Sequence, residues 1–123
     1  MDATVRFEML GEVAALRLAG EARLERAIGQ VKAAIEVARA QGIRKLMIVT
    51  SGLEGLAPPA LGDRAYMSRE WAGAARGSVR LALVARREMI DAEKFGVIFA
   101  RTFGADADVF DSEADALAWL DRP

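Results

Sequence analysis

Two short apolar runs constrain this chain more than anything else in it: Lys45-Leu46-Met47-Ile48-Val49-Thr50 and Val79-Arg80-Leu81-Ala82-Leu83-Val84-Ala85. Both lack the strict alternation of a half-buried strand, so they predict central strands covered on both faces. Neither approaches the ~20 apolar residues needed to cross a bilayer. Such strands need helices packed over them, and the intervening sequence has helical lengths and periods.

Before the first run, Leu24, Ile28, Val31, Ile35 and Ala38 recur at spacings of four and three, predicting an amphipathic helix over Glu21–Gln41 with Gly42 as its C-terminal cap. Between the runs, a weaker pattern spans Leu61–Arg76. After the second, a helix is expected over Glu88–Phe103, with Phe95, Ile98, Phe99 and Thr102 on one face; Gly96 inside it fits a close approach to the sheet. Asp108–Asp111 reads as a short strand. Ser112, with Asp115 three residues on, caps a final helix carrying Leu117, Trp119 and Leu120.

The N-terminal segment has period two. Val5, Phe7 and Met9 alternate with Thr4, Arg6 and Glu8, predicting a strand with one buried face. Gly11-Glu12 turns the chain into Val13–Ala19, which Gly20 ends, giving a β-hairpin at the sheet edge. The order β-β-α-β-α-β-α-β-α predicts a single α/β domain over residues 1–123. Its sheet is mostly parallel, with an antiparallel N-terminal edge hairpin.

The chain has 123 residues, no Cys and no His. Disulfides, thiolate nucleophiles, His-based general acid–base chemistry and the usual zinc ligand sets are thereby excluded. Paired carboxylates or a lysine remain formally open, and would need Asp91, Glu93 or Lys94 in a pocket with opposed environments. A net charge of -1 offers no basic face for nucleic acid. The N-terminus lacks a secretory pattern, so a cytoplasmic protein with no transmembrane segment is expected. No catalytic residue, metal site or cofactor is implied.

The best binding candidate is the loop Ser51–Pro59, which leaves a central strand at its carboxyl end, where parallel sheets collect ligands. Thr50 and Ser51 supply hydroxyls, and Gly52 and Gly55 permit close approach. An ordinary strand-to-helix turn would look the same, and a phosphate-binding P-loop is absent. Tyr66 and Trp71, with Met67 and interleaved arginines, suggest a docking or lid helix, or simply core packing. Phe95, Phe99 and Phe103, at successive spacings of four, could line an apolar pocket, although a phenylalanine stripe usually marks core, the reading expected here. Asp106, Asp108, Asp111, Glu113 and Asp115 lack calcium-loop spacing.

Several segments together carry a family resemblance. They are the long helix followed by Gly42-Ile43-Arg44-Lys45-Leu46-Met47-Ile48-Val49, the Trp71-containing helix, and the ending Val109-Phe110-Asp111-Ser112-Glu113-Ala114-Asp115-Ala116-Leu117-Ala118-Trp119-Leu120. In these and in element order the chain resembles the STAS fold of anti-sigma factor antagonists. It is most similar to the bacterial SpoIIAA-like family, whose fold is also compared with CRAL-TRIO lipid-binding domains. The resemblance implies a small cytoplasmic protein with regulatory or ligand-binding associations and no established reaction. In the antagonists a serine at the start of the second helix is phosphorylated. Here Leu56–Asp63 contains no serine, so that switch does not carry over.

Two functions follow as expectations. One is a non-enzymatic regulatory module presenting Ser51–Pro59 and the Tyr66–Trp71 helix to a protein partner. The other is a carrier of a small apolar ligand or lipid, with the second helix as a lid over Phe95 and Phe99. The N-terminal hairpin is a candidate homodimer edge.

Overall fold

The computed structural model describes residues 4–123; the first part of the N-terminus read above, Met1–Ala3, lies outside the described residues. Five strands form one sheet in sequential order: β1 (Thr4–Leu10), β2 (Val13–Glu21), β3 (Lys45–Glu54), β4 (Arg80–Val84) and β5 (Ala107–Phe110). β1 and β2 are antiparallel, and every other pair is parallel. Four helices complete the fold: α1 (Leu24–Ala40), α2 (Leu61–Ala75), α3 (Phe95–Thr102) and α4 (Glu113–Leu120). Among the described residues no helix is long and apolar enough to cross a membrane.

Each parallel strand is laid down on the same side of its predecessor. Right-handed crossovers taken in one direction put their helices on one face. Accordingly α1, α2 and α3 share a core with Ala14, Leu16, Leu18, Leu46, Ile48 and Leu81. α4 alone covers the other face, where Ala116 and Leu120 pack on Ala15, Met47, Val49, Ala82 and Val84. The non-alternating runs in β3 and β4 thus have partners on both sides.

The helix ends follow local chemistry. Gly42, with φ of 75°, closes α1, and the Ile43 N–H reaches back to the Ala38 carbonyl at 2.9 Å. The Ser112 hydroxyl accepts from the Asp115 N–H at 3.1 Å, capping α4 as its sequence predicts.

Four expectations need correcting. β2 does not stop at Gly20, and β3 does not stop at Thr50. A bulge in β3, where Thr50 and Ser51 oppose the single residue Leu18, resets the register so that Ala19, Gly20 and Glu21 pair with Gly52, Leu53 and Glu54. Ser51 and Gly52 are therefore strand residues, not loop. Second, the apolar face of β1 is not buried: Val5, Phe7 and Met9 are 43%, 40% and 51% exposed. The crossover helices begin beyond β2, and no residue of β1 joins either core.

Third, Glu88–Phe103 is not one helix. A 3-10 turn at Arg87–Met89 precedes α3, which has only eight residues. The Asp91 carboxylate accepts from the Phe95 N–H at 2.9 Å and fixes the start of α3. Fourth, Gly96 faces α2 rather than the sheet. Its carbonyl accepts from the buried Ser68 hydroxyl at 2.7 Å. A Cβ at Gly96 would meet only that hydroxyl, at 3.8 Å, an ordinary contact.

Candidate functional site

At the carboxyl end of β3 the Thr50 hydroxyl and the two glycines serve the fold itself. Thr50 Oγ1 donates to the Val84 carbonyl at 3.0 Å, bracing β3 against β4. A Cβ on Gly52 would sit 3.0 Å from the Leu18 carbonyl oxygen and 3.1 Å from Ala19 Cβ, so the bulge requires glycine there. Gly55 turns the chain with φ of 78°, and Ser51 is exposed. The sequential strand order also leaves no point where crossovers diverge, the feature that opens a ligand crevice in doubly wound sheets.

α2 is held down along its length. Arg64 donates to the carbonyls of Pro59 (3.1 Å) and Met89 (3.2 Å) and lies 3.3 Å from the Asp91 carboxylate. Arg86 donates to the Leu53 carbonyl. Trp71 is buried, and its indole N–H donates to the Ile28 carbonyl of α1 at 3.1 Å. Lys32 of α1 binds Glu70 at 3.1 Å, and that bond raises the lysine pKa above its ordinary value. Of the two aromatics singled out on this helix, Tyr66 is exposed and Trp71 belongs to the core.

Two small apolar cavities lie under the inner side of α2, each of about 80 Å³, apart from a polar groove between α2 and Lys32, Glu36 and Arg39 of α1. Arg64, Met67, Trp71, Leu83, Ala85 and Met89 line both. Phe95 and Phe99 line neither; the small side of α3, Gly96 and Ala100, faces the first cavity instead. Asp91 and Lys94 also reach it, but Asp91 is paired with Arg64, and Lys94 with Asp108 at 3.2 Å. The two charged groups most eligible for chemistry are thus engaged in ion pairs. Of the acidic residues near the C-terminus, four are likewise paired: Asp106 with Arg80, Asp108 with Lys94, Asp111 with Arg87 and Glu113 with Arg17.

α3 turns its bulk outward. Phe95, Ile98 and Phe103 are 37%, 49% and 48% exposed, and Phe99 is half-buried with its ring stacked on Phe95 at 6.2 Å. The phenylalanine stripe expected in the core is therefore a surface feature. α3 packs through Gly96 and Ala100, and the Ser68 hydroxyl of α2 holds it there by donating to the Gly96 carbonyl. Phe103 belongs to the phenylalanine stripe of the sequence reading, whereas Ile98 shares the helix face there but joins no candidate site. Their signal was present in the i, i+3, i+4, i+8 spacing from Phe95, which marks a face without saying which way it points.

A second polar cluster ties the hairpin to α4. Arg17 of β2 donates to Glu8 and to Glu113, each at 2.8 Å. The hydrogen bond from Arg17 lowers the Glu8 pKa from its ordinary 4.5, while the bonds to Glu113 and then Glu8 raise that of Arg17. A depressed carboxyl pKa stabilises the fold above the unfolded value, and the effect is lost as pH falls through the folded one. Glu8→Gln is expected to melt below the wild type at pH 7. Thermal unfolding at successive pH values should show the two curves converging below about pH 4.5.

No protein-family model matches the chain, and no curated protein matches it in sequence. Solved structures do match. An anti-sigma factor antagonist from Mycobacterium paratuberculosis is 19% identical, with 98% of this chain and 95% of that chain covered and a TM-score of 0.65. An uncharacterised protein with a SpoIIAA-like fold from Shewanella loihica is 20% identical, covering 97% and 94% of the two chains at a TM-score of 0.53. At such identities the likeness speaks for architecture, which agrees with the five-stranded mixed sheet and four helices: the chain has the SpoIIAA-like, STAS-type fold.

Proposed function

We propose that this chain is a non-enzymatic regulatory module of STAS-like type that binds another protein through the outward face of α3. The exposed aromatic stripe carries the reading: Phe95, Ile98 and Phe103 stand in water on a helix whose small residues face inward. Clustered large apolar side chains of this kind mark contact surfaces. The anti-sigma factor antagonist with the same fold supports a regulatory protein partner, and the same reading puts the protein in the cytoplasm. Ser51 and Tyr66, exposed at β3 and α2, are available as further contacts.

Ile98→Glu and Phe103→Glu test it, because both side chains are half in water and their loss leaves the core intact. Cross-linking capture from the source cell should recover a specific protein with the wild type, and at least tenfold less with the double variant. Equal recovery by both, at unchanged melting temperature, would sink the proposal.

A second reading, a carrier of a small apolar ligand, draws on the two cavities beside Met67 and Trp71. Protein purified from its source should then show added mass in native mass spectrometry, and lose it in Leu83→Trp, which intrudes on both cavities. A bare mass counts against this reading.

A further inference from the structure

Among the described residues β1 is the edge strand of the sheet, paired only with β2. β1 and β2 are joined by the two-residue turn Gly11-Glu12, with Leu10 opposite Val13, and their register runs without a break to Thr4 opposite Ala19. The pair closing a two-residue hairpin is hydrogen-bonded, and bonded and non-bonded pairs then alternate. Leu10, Glu8, Arg6 and Thr4 therefore spend their backbone groups on β2. The N–H and C=O groups of Met9, Phe7 and Val5 point away from β2, to the free edge. The strongest guards of a free edge are missing: Thr4–Leu10 contains no proline, no lysine and no bulge, and its charges are the opposite pair Arg6 and Glu8.

We propose that two chains associate through β1, antiparallel, about a two-fold axis at Phe7, joining their sheets into one of ten strands. The register follows from the edge pattern and the charges. Only outward-facing residues can exchange hydrogen bonds, so Val5, Phe7 and Met9 of one chain must meet those of the other. Centring the axis on Arg6 would place Arg6 against its own copy, and centring it on Glu8 would oppose two glutamates. Centring on Val5 or Met9 leaves part of the strand unpaired.

With the axis at Phe7 all seven residues pair. Phe7 meets Phe7, Val5 meets Met9, and Arg6 meets Glu8 twice, at the non-hydrogen-bonded positions where side chains are closest. Arg6 and Arg17 both approach Glu8 through Oε1 (3.8 and 2.8 Å), so neither contact uses its second oxygen. On the other face, Val5, Phe7 and Met9 of the two chains form one apolar band, which removes from water the side chains left exposed in the single chain.

Sedimentation velocity over a concentration series, with the unmodified chain and two variants, tests this. The wild type should show concentration-dependent dimer. Phe7→Lys, which sets two ammonium groups on the axis, should be monomeric throughout. Arg6→Glu, at a residue outside both cores, should raise the dissociation constant at least about tenfold by opposing Glu8 with a like charge at two places. Circular dichroism should show both variants folded. A monomeric wild type up to about 0.5 mM, or a dimer that neither variant weakens, overturns the proposal. The α3 face lies toward the opposite edge of the sheet, so capture by α3 variants reports on it independently.

Discussion

Trp71→Ala is expected to remove about 3–5 kcal/mol of stability and lower the melting temperature by about 10–20 °C. The indole lies in the core beneath α2, lines both small cavities, and donates to the Ile28 carbonyl in α1. Truncation would merge the two voids into one apolar hole that rigid neighbours cannot fill. Trp71→Phe keeps most of the packing and loses the hydrogen bond, and should cost only about 1–2 kcal/mol. Chemical denaturation of both variants distinguishes the contributions: a loss below about 1 kcal/mol for alanine would mean that α2 is not seated as described.

Arg80→Met is expected to cost about 2–4 kcal/mol, through a different mechanism. Arg80 Nη1 donates to the carbonyls of Leu120 (3.2 Å) and Arg122 (2.7 Å), Nη2 to that of Trp119 (3.3 Å), and Nε to Asp106 (2.9 Å). Its guanidinium also stacks 4.6 Å from the Trp119 ring. One planar group thus satisfies the free carbonyls at the end of α4 and offsets the negative pole of that helix. Methionine fills comparable space and donates nothing. Lysine keeps the charge but not the fork, so Arg80→Lys should recover only part of the loss. Hydrogen exchange should locate the damage: amides of Glu113–Leu120 would open well before those of β3. Uniform loss of protection would instead mean that α4 and the sheet unfold as one unit.

Much of this architecture can be read in the sequence, for identifiable reasons. The repeat from Leu24 to Ala38 has one periodic solution, and Gly42 ends it. The runs in β3 and β4 are too apolar to face water on either side. What escaped were features set by neighbours rather than by the segment. Alternation in β1 shows that Val5, Phe7 and Met9 share a face, but only the direction of the crossovers shows that nothing covers it. Phe95 and Phe99 share a face too, and only the bond from Ser68 of α2 to the Gly96 carbonyl shows which side of that helix faces inward.

Thr50 and Gly52 look like loop chemistry because hydroxyl and glycine often are. A bulge in β3, set by pairing with β2 and invisible in β3's own sequence, keeps the chain in the sheet through them. The proposed contact surface therefore lies among residues expected to be core, and part of the candidate loop among residues that brace the sheet.

Sequential strand order also bears on how quickly the chain finds this structure. No two paired residues in the sheet lie further apart in sequence than the 35 positions separating Lys45 from Arg80 and its neighbours. Each strand docks on the one just made, so only short loops close at each step and no strand waits for a distant partner. Parallel sheets that insert late strands between early ones lose more chain entropy before gaining contacts, and fold more slowly for it. This sheet should assemble by addition from the hairpin outward. Mutations in β2 and β3 would then slow folding, while those in β5 would mainly speed unfolding.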